Sequence, residues 1–437
     1  MTPRLSRAAR SPSRRLAQAL LLAGALSALA GCAGRARTTG DAAEQVGSGW
    51  RQPSALAPVG DYDDYVRQVG QELRAHRLAF DPAAGERELA LVAPFRQPPD
   101  AGCDAQDPRG IAILVHGLSD TAFAMRDLAR SFARQCFEAR ALLLPGHGTR
   151  AADLLAVDHE DWLAHVQAAV VAASRENDTV VVAGFSLGAT LALAVAATAP
   201  ERVDAVIGLS PAYHIQSAAL ARQARWIAVL RPWLDVDPRE EFARYEAMPT
   251  RGIAATMAAI DTMHRRVRAR GGVPMPWMVV QSADDEVVDT ARNRAFFEAQ
   301  AAHARSVLVN YFSDPAQAEA DPSTRAQWLP AIDAASRVAG LSHLAVHIAP
   351  DNPHYGIAGA FRNCGSTPFR DAQEIRACQR ALRVWYGVGG QRPPPGEAGA
   401  RATFNPHFAA MEQRLGEFLA GLDADPQLAL RGRVASP

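Results

Sequence analysis

Residues 179–199 read TVVVAGFSLGATLALAVAATA. Val180, Val181 and Val182 form a β-branched apolar run, and the alanine-rich stretch from Leu187 to Ala199 suits a buried helix. Between them lies the pentapeptide Gly184-Phe185-Ser186-Leu187-Gly188, a G-x-S-x-G pattern. Alone it is weak, because at ordinary glycine usage a chance match arises in about one chain in ten of this length. Its position between a strand and a helix is what gives it weight. A strand-to-helix turn this tight leaves no room for Cβ atoms beside the serine, so both glycines have a reason. The turn would expose Ser186 Oγ at the carboxyl edge of a sheet and place the Leu187 N–H at a helix N-terminus. A Ser-Gly turn with a purely structural role is the alternative.

Working outward, apolar runs and helical patterns alternate. Strands are expected at 111–115, 139–144, 179–183, 205–209 and 277–281, with helices at 121–136, 160–174 and 187–199 between them. Short, continuously apolar strands separated by helices predict an α/β fold, a mostly parallel, doubly wound sheet covered on both faces. Ahead of it, a helix is expected over 61–80 and a strand over 88–92. The alternation stops from Ser210 to Met275, and an insertion at about 212–275 is expected to form a helical cap. Residues 313–341 carry no readable pattern, 392–396 (RPPPG) reads as a loop, and 404–422 as a final amphipathic helix. No internal repeat is present.

A serine hydroxyl is a poor nucleophile and needs a base and an orienting acid. For a serine on such a turn the chain order is Ser, then Asp, then His. The acid belongs at the end of a later strand, which points to Ser282-Ala283-Asp284-Asp285-Glu286-Val287-Val288 after the strand at 277–281. Neighbouring residues point apart, so one aspartate serves; Asp285 is chosen and Asp284 is the alternative. Five histidines follow: His303, His343, His347, His354 and His407. His343, on the small-residue turn Gly340-Leu341-Ser342-His343, is the expected base, with His354 and His347 behind it. His303 and His407 read as surface residues. The backbone N–H of Leu118, in the loop after the strand at 111–115, and that of Leu187 are the candidate oxyanion donors. His116 and His147 are expected to brace loops.

These motifs together resemble the α/β-hydrolase superfamily, nearest to its carboxylesterase and monoacylglycerol-lipase-like members. The resemblance rests on VHGLSD at 115–120, LPGHGT at 144–149, DW at 161–162, GFSLG at 184–188, SADDEVV at 282–288 and SH at 342–343. In that family the Asp before x-Val-Val is the triad acid and the His of Ser-His the base, which implies Asp285 and His343. The resemblance implies an acyl-enzyme mechanism on carboxylic esters with no cofactor. Thioester, amide or peptide substrates on the same triad, or a non-catalytic scaffold, are the rival expectations. Two departures stand out: an extra segment precedes His343, and a cysteine-bearing extension leads to the last helix. An apolar cap face of Trp226, Ile227, Val229, Leu230 and Trp233 hints at an acyl chain, or simply seals the cap onto the core.

Composition bounds the rest. The chain has 437 residues, 48% of them apolar, with 46 basic against 46 acidic side chains. A zero net charge and the lack of a long basic run argue against nucleic acid as a partner. Every basic residue is arginine, and the absence of lysine excludes Schiff-base, P-loop and Ser-Lys chemistry. Arg4, Arg7, Arg10, Arg14 and Arg15 precede an apolar run from Leu16 to Ala30, too short to span a bilayer. The run closes with Leu29-Ala30-Gly31-Cys32, which resembles a bacterial lipobox. That resemblance implies a signal peptide over 1–31 and a diacylglycerol on Cys32. It further implies a lipid-anchored place in the cell envelope, at the outer membrane. Residues 32–60, rich in Gly, Ala, Arg and Thr with no sustained period, read as a tether, and 61–437 as the hydrolase domain. The four remaining cysteines suit an oxidising compartment, and Cys103–Cys136 and Cys364–Cys378 are the favoured pairs over free thiols. No metal-ligand spacing is present, so no metal is expected.

Overall fold

A computed structural model of the chain describes residues 39–50, 58, 60–236, 239–319, 323–365 and 372–424. The expected signal peptide and Cys32 lie outside the described residues. Part of the expected tether is packed against the domain rather than free. Glu44, at the end of a short helix Thr39–Glu44, is buried and accepts the Ala151 N–H at 2.8 Å, and the Ser48 N–H reaches Asp153 Oδ1 at 2.8 Å. Trp50 packs on the core beside it.

Helix α1 (Tyr62–His76) starts at Asp61, whose carboxylate caps the N–H groups of Asp63 and Asp64. The run expected as a strand at 88–92 is instead the end of helix α2 (Gly85–Val92). Leu89 and Val92, three apart, share the buried face, and the buried Glu88 carboxylate takes the N–H groups of Phe80 and Asp81. Those bonds hold an ion that a strand in a dry sheet would leave unpaired.

Eight strands form one sheet: β1 (Phe95–Gln97), β2 (Gly110–Val115), β3 (Phe137–Ala141), β4 (Val180–Phe185), β5 (Ala205–Leu209), β6 (Trp277–Ser282), β7 (Val307–Phe312) and β8 (Ala326–Pro330). Their order is β1-β3-β2-β4-β5-β6-β7-β8, with β1 antiparallel to β3 and every other pairing parallel. The strand expected at 139–144 is β3, two residues earlier; Leu142, Leu143 and Leu144 continue the apolar run past the ladder. Edge strands β1 and β8 were not legible. Each is short and partly exposed, and β8 ends on a proline, which edge strands tolerate.

Residues of the central strands alternate between two cores. Ile111, Ile113, Val180 and Val182 face one side with α1, α4 (His159–Glu176), α5 (Leu187–Thr198) and α6 (Thr250–Arg270). Ala112, Leu114, Val181 and Ala183 face the other side, against α3 (Arg126–Arg134) and the last helix, Phe408–Asp423. Helix α5 is buried from Leu187 to Ala197, as a helix apolar on all sides must be.

The insertion differs in one respect from an all-helical cap. It holds a short helix Ala224–Leu230 and an antiparallel ribbon of Trp233–Val236 with Ala247–Pro249. Its final helix α6 is a core layer, burying Ala259, Met263 and Val267 against α5. Leu230 is turned to solvent (89% exposed), whereas Trp233 packs on the core. Beyond His343 the extension carries the disulfide Cys364–Cys378 and a parallel ribbon of Trp385–Gly387 with Gly399–Arg401; a second disulfide joins Cys103 to Cys136. Among the described residues no helix is long and apolar enough to cross a membrane.

Candidate active site

Ser186 lies between β4 and α5 with φ +52° and ψ −114°, a backbone conformation that non-glycine residues rarely adopt. The surroundings hold it there. Its N–H donates to Leu209 O at 3.0 Å, and its carbonyl accepts from Ala189 and Ala212, each at 3.1 Å. The flanking glycines follow from contact geometry. A Cβ on Gly184 would stand 2.2 Å from the Gly188 carbonyl carbon, and one on Gly188 would stand 2.0 Å from Val115 O. Helix α5 and strand β2 approach so closely that only hydrogen fits.

The acid loop after β6 separates its two aspartates. Asp284 turns away, accepting the Ser313 hydroxyl at 2.6 Å, and burial pushes its carboxyl up. Asp285 is buried and fully engaged: Oδ1 accepts the Val287 and Val288 N–H groups at 2.8 and 2.9 Å, and Oδ2 faces His343 Nδ1 at 2.8 Å. The x-Val-Val that follows Asp285 is thus the loop that fixes its carboxylate. His343 Nε2 in turn meets Ser186 Oγ at 2.9 Å. The imidazole is 7% exposed, with the Phe185 ring 5.1 Å from its own. With Nδ1–H donated to Asp285, Nε2 is left as the acceptor for the serine proton.

The loop after β2 is braced from behind by two buried histidines. His116 Nε2 accepts the Leu144 N–H at 3.0 Å, and His147 Nε2 accepts the Ser119 N–H at 3.2 Å. Burial pushes His147 down to about 4 and His116 well below the usual range, so both are neutral acceptors. The cap is stitched to the same loop, the Tyr245 N–H donating to Ser119 O and Thr121 Oγ1 to Ala243 O, each at 2.8 Å. Leu187 is the first residue of α5, where an N–H has no partner within its own helix. Neither it nor the Leu118 N–H finds an acceptor among the described residues.

The other histidines lie elsewhere. His354 Nε2 meets Glu241 Oε2 at 2.9 Å. His347 is buried against the Phe185 ring at 4.2 Å, and burial pushes it down to about 3. His407 precedes the last helix, its Nε2 meeting Ile332 O at 3.1 Å. His303, expected at the surface within a helix, is buried in the turn after α7 (Thr290–Gln300).

Sequence reading missed a buried ionic group near His343. Glu241 accepts from Tyr355 Oη at 2.6 Å and lies 3.4 Å from Arg244, which also reaches Glu246 at 3.3 Å. Asp120, in the loop after β2, is buried near these groups and His343, and burial pushes its carboxyl up to about 7. The motif VHGLSD already contains Asp120, but no local signal distinguishes it from a solvated loop carboxylate. Among the described residues no cluster of three or more His, Cys, Asp or Glu could hold a metal.

A serine on a strained strand-to-helix turn, followed along the chain by an acid after β6 and a histidine after β8, defines the α/β-hydrolase fold. Residues 106–311 match the family described as "Serine aminopeptidase, S33". The chain is 26% identical over 197 residues to a thermostable monoacylglycerol lipase of Bacillus sp., covering 44% of this chain and 76% of that one. A monoacylglycerol lipase of Mycolicibacterium smegmatis is 25% identical over 233 residues, covering 48% and 82%. Among solved structures, a monoglyceride lipase from Saccharomyces cerevisiae matches with a TM-score of 0.43 at 14% identity, covering 50% of this chain and 82% of that one. The chain has the α/β-hydrolase fold and is similar in sequence to monoacylglycerol lipases.

Proposed function

We propose that this protein is a serine esterase that cleaves carboxylic esters of the monoacylglycerol type through an acyl-enzyme. The observation that carries the reading is the hydrogen-bonded series Ser186 Oγ, His343 Nε2, His343 Nδ1, Asp285 Oδ2, with both contacts under 3 Å. Ser186 Oγ attacks the ester carbonyl while its proton passes to His343 Nε2. The imidazolium, held by Asp285, returns that proton to the leaving alcohol as the acyl–oxygen bond breaks. The Leu118 and Leu187 N–H groups receive the negative charge on the carbonyl oxygen. Water then attacks the acyl-serine by the reverse sequence, and the acid product leaves. These steps require no cofactor or metal.

The test is hydrolysis of p-nitrophenyl esters from C2 to C16 by the full chain, beside Ser186→Ala. Turnover that vanishes in the variant supports the reading, and the preferred chain length separates esterase from lipase. A folded protein inert across the series would rule out simple ester hydrolysis. Amidase or peptidase action on the same triad is the second reading, favoured by the aminopeptidase family match and tested with aminoacyl p-nitroanilides. We further propose anchoring in the bacterial envelope through diacylated Cys32, supported by the LAGC run at 29–32. Cys32→Ala should then release the protein from the membrane fraction.

A further inference from the structure

A cleft of about 770 Å³ opens between α6, α7 and the segment 213–222, and neither Ser186, Asp285, His343 nor Leu118 lines it. Its floor is apolar. Met257 and Ile260 are buried along α6, and Phe296 of α7 packs on the core with its ring 4.7 Å from that of His264. Its rim is mainly cationic, with Arg265 and Arg268 from α6, Arg292 from α7 and Arg222 from the segment opposite against one carboxylate, Asp261. Three separate elements thus bring guanidinium groups to one hollow.

Local neutralisation does not account for them. Arg222 faces Asp261 at 3.5 Å and Arg292 faces Asp289 at 3.3 Å, each with its guanidinium more than half exposed, so the pairing contributes little in water. Among the described residues, Arg265 reaches Thr262 Oγ1 at 2.8 Å and Arg268 has no carboxylate partner. Arg268 suits the carboxyl end of α6, where the helix dipole favours a cation. That explanation fails for Arg292, in the first turn of α7, and Arg222 follows only the single turn Ala218–Ala221, too short for much of a dipole. Burial also lowers His214 and His264, so the hollow presents neutral rings below and fixed positive charge above.

We propose that this cleft binds an anionic amphiphile. Its phosphate or carboxylate head would sit among Arg222, Arg265, Arg268 and Arg292, and its apolar chain along Met257, Ile260 and Phe296. Guanidinium groups suit both oxyanions, which they grip through paired N–H donors. An apolar floor distinguishes such a ligand from a free inorganic ion. The site does not depend on Ser186 chemistry, so it stands or falls separately from the esterase reading.

The test is calorimetric titration of the full chain, in a nonionic detergent, with hexyl phosphate, hexanoate, inorganic phosphate and hexanol as probes. The wild type should bind hexyl phosphate or hexanoate at one site, and which of the two binds tighter identifies the head group. Inorganic phosphate should bind more weakly and hexanol not at all. Replacing both Arg265 and Arg268 by Ser should weaken the amphiphile by at least about tenfold, as expected for lost charge-assisted contacts. Both positions are exposed, and an unchanged Tm would show the fold intact. Equal affinity in wild type and variant, inorganic phosphate binding as tightly as the amphiphile, or no binding of any probe would each overturn the proposal.

Discussion

Asp285 presents Oδ2 to His343 Nδ1 at 2.8 Å, while its chain neighbour Asp284 gives its carboxylate to Ser313. Two adjacent acids therefore do different work. Asp285→Asn should leave the fold intact and lower kcat by about ten-thousandfold, because an amide favours the wrong imidazole tautomer. Asp284→Asn should lower kcat far less and act mainly on Tm, since the Ser313 hydroxyl loses an ionic acceptor. Steady-state kinetics and thermal melts on both variants separate the roles, and equal losses of kcat would contradict them.

The turn that carries Ser186 tolerates no added atom. Gly188→Ala places a Cβ 2.0 Å from the backbone oxygen of Val115, which belongs to the central strand β2 and cannot yield. The variant should lose more than about 3 kcal/mol or fail to accumulate as folded protein. Denaturant titration measures this. A stability within error of wild type would show that the close approach of α5 to β2 is not real.

Cys364–Cys378 closes a loop with a sequence separation of 14, and Cys103–Cys136 one of 33. Loop-closure entropy assigns them about 3 and about 4 kcal/mol. Reductant should lower the Tm of the wild type and leave that of the four-cysteine-to-serine variant unmoved.

Asp120 supplies a pH signature. Burial raises its carboxyl to about 7, with Glu241 and Glu246 adding to the shift and Arg244 and His343 opposing it. The folded chain keeps a proton that the unfolded chain releases near pH ~4, so this group's contribution is full below that pH. It is lost as pH rises toward 7, and is constant above. Asp120→Asn removes the proton equilibrium. Its Tm relative to wild type should therefore rise between pH 5 and pH 7.5, and parallel profiles would contradict the assignment.

The central sheet was readable because its strands are dry on both faces. Val180–Val182 and Ile111–Val115 read as unbroken apolar runs that only a buried parallel strand explains. Strands β1 and β8 lie at the edges, where half-exposed residues such as Arg96 and Gln327 erase the pattern. Helix α2 was misread because the run Leu89 to Val92 is too short to distinguish two periods. Ser186 and Asp285 were legible since each is fixed by its own neighbours in sequence: two glycines for one, two valine N–H groups for the other. The Glu241–Arg244–Tyr355 group and the cationic cleft were not. Tyr355 stands 114 residues from Glu241, and the cleft draws its arginines from three separate elements, so both meet only through tertiary packing.

The most direct test of the central claim is to treat the full chain with a fluorophosphonate and map the adduct by peptide mass spectrometry. A single adduct is expected on the peptide containing Ser186, formed in step with loss of ester turnover and absent from His343→Ala. An adduct on another residue, or turnover that persists once Ser186 is modified, would contradict it.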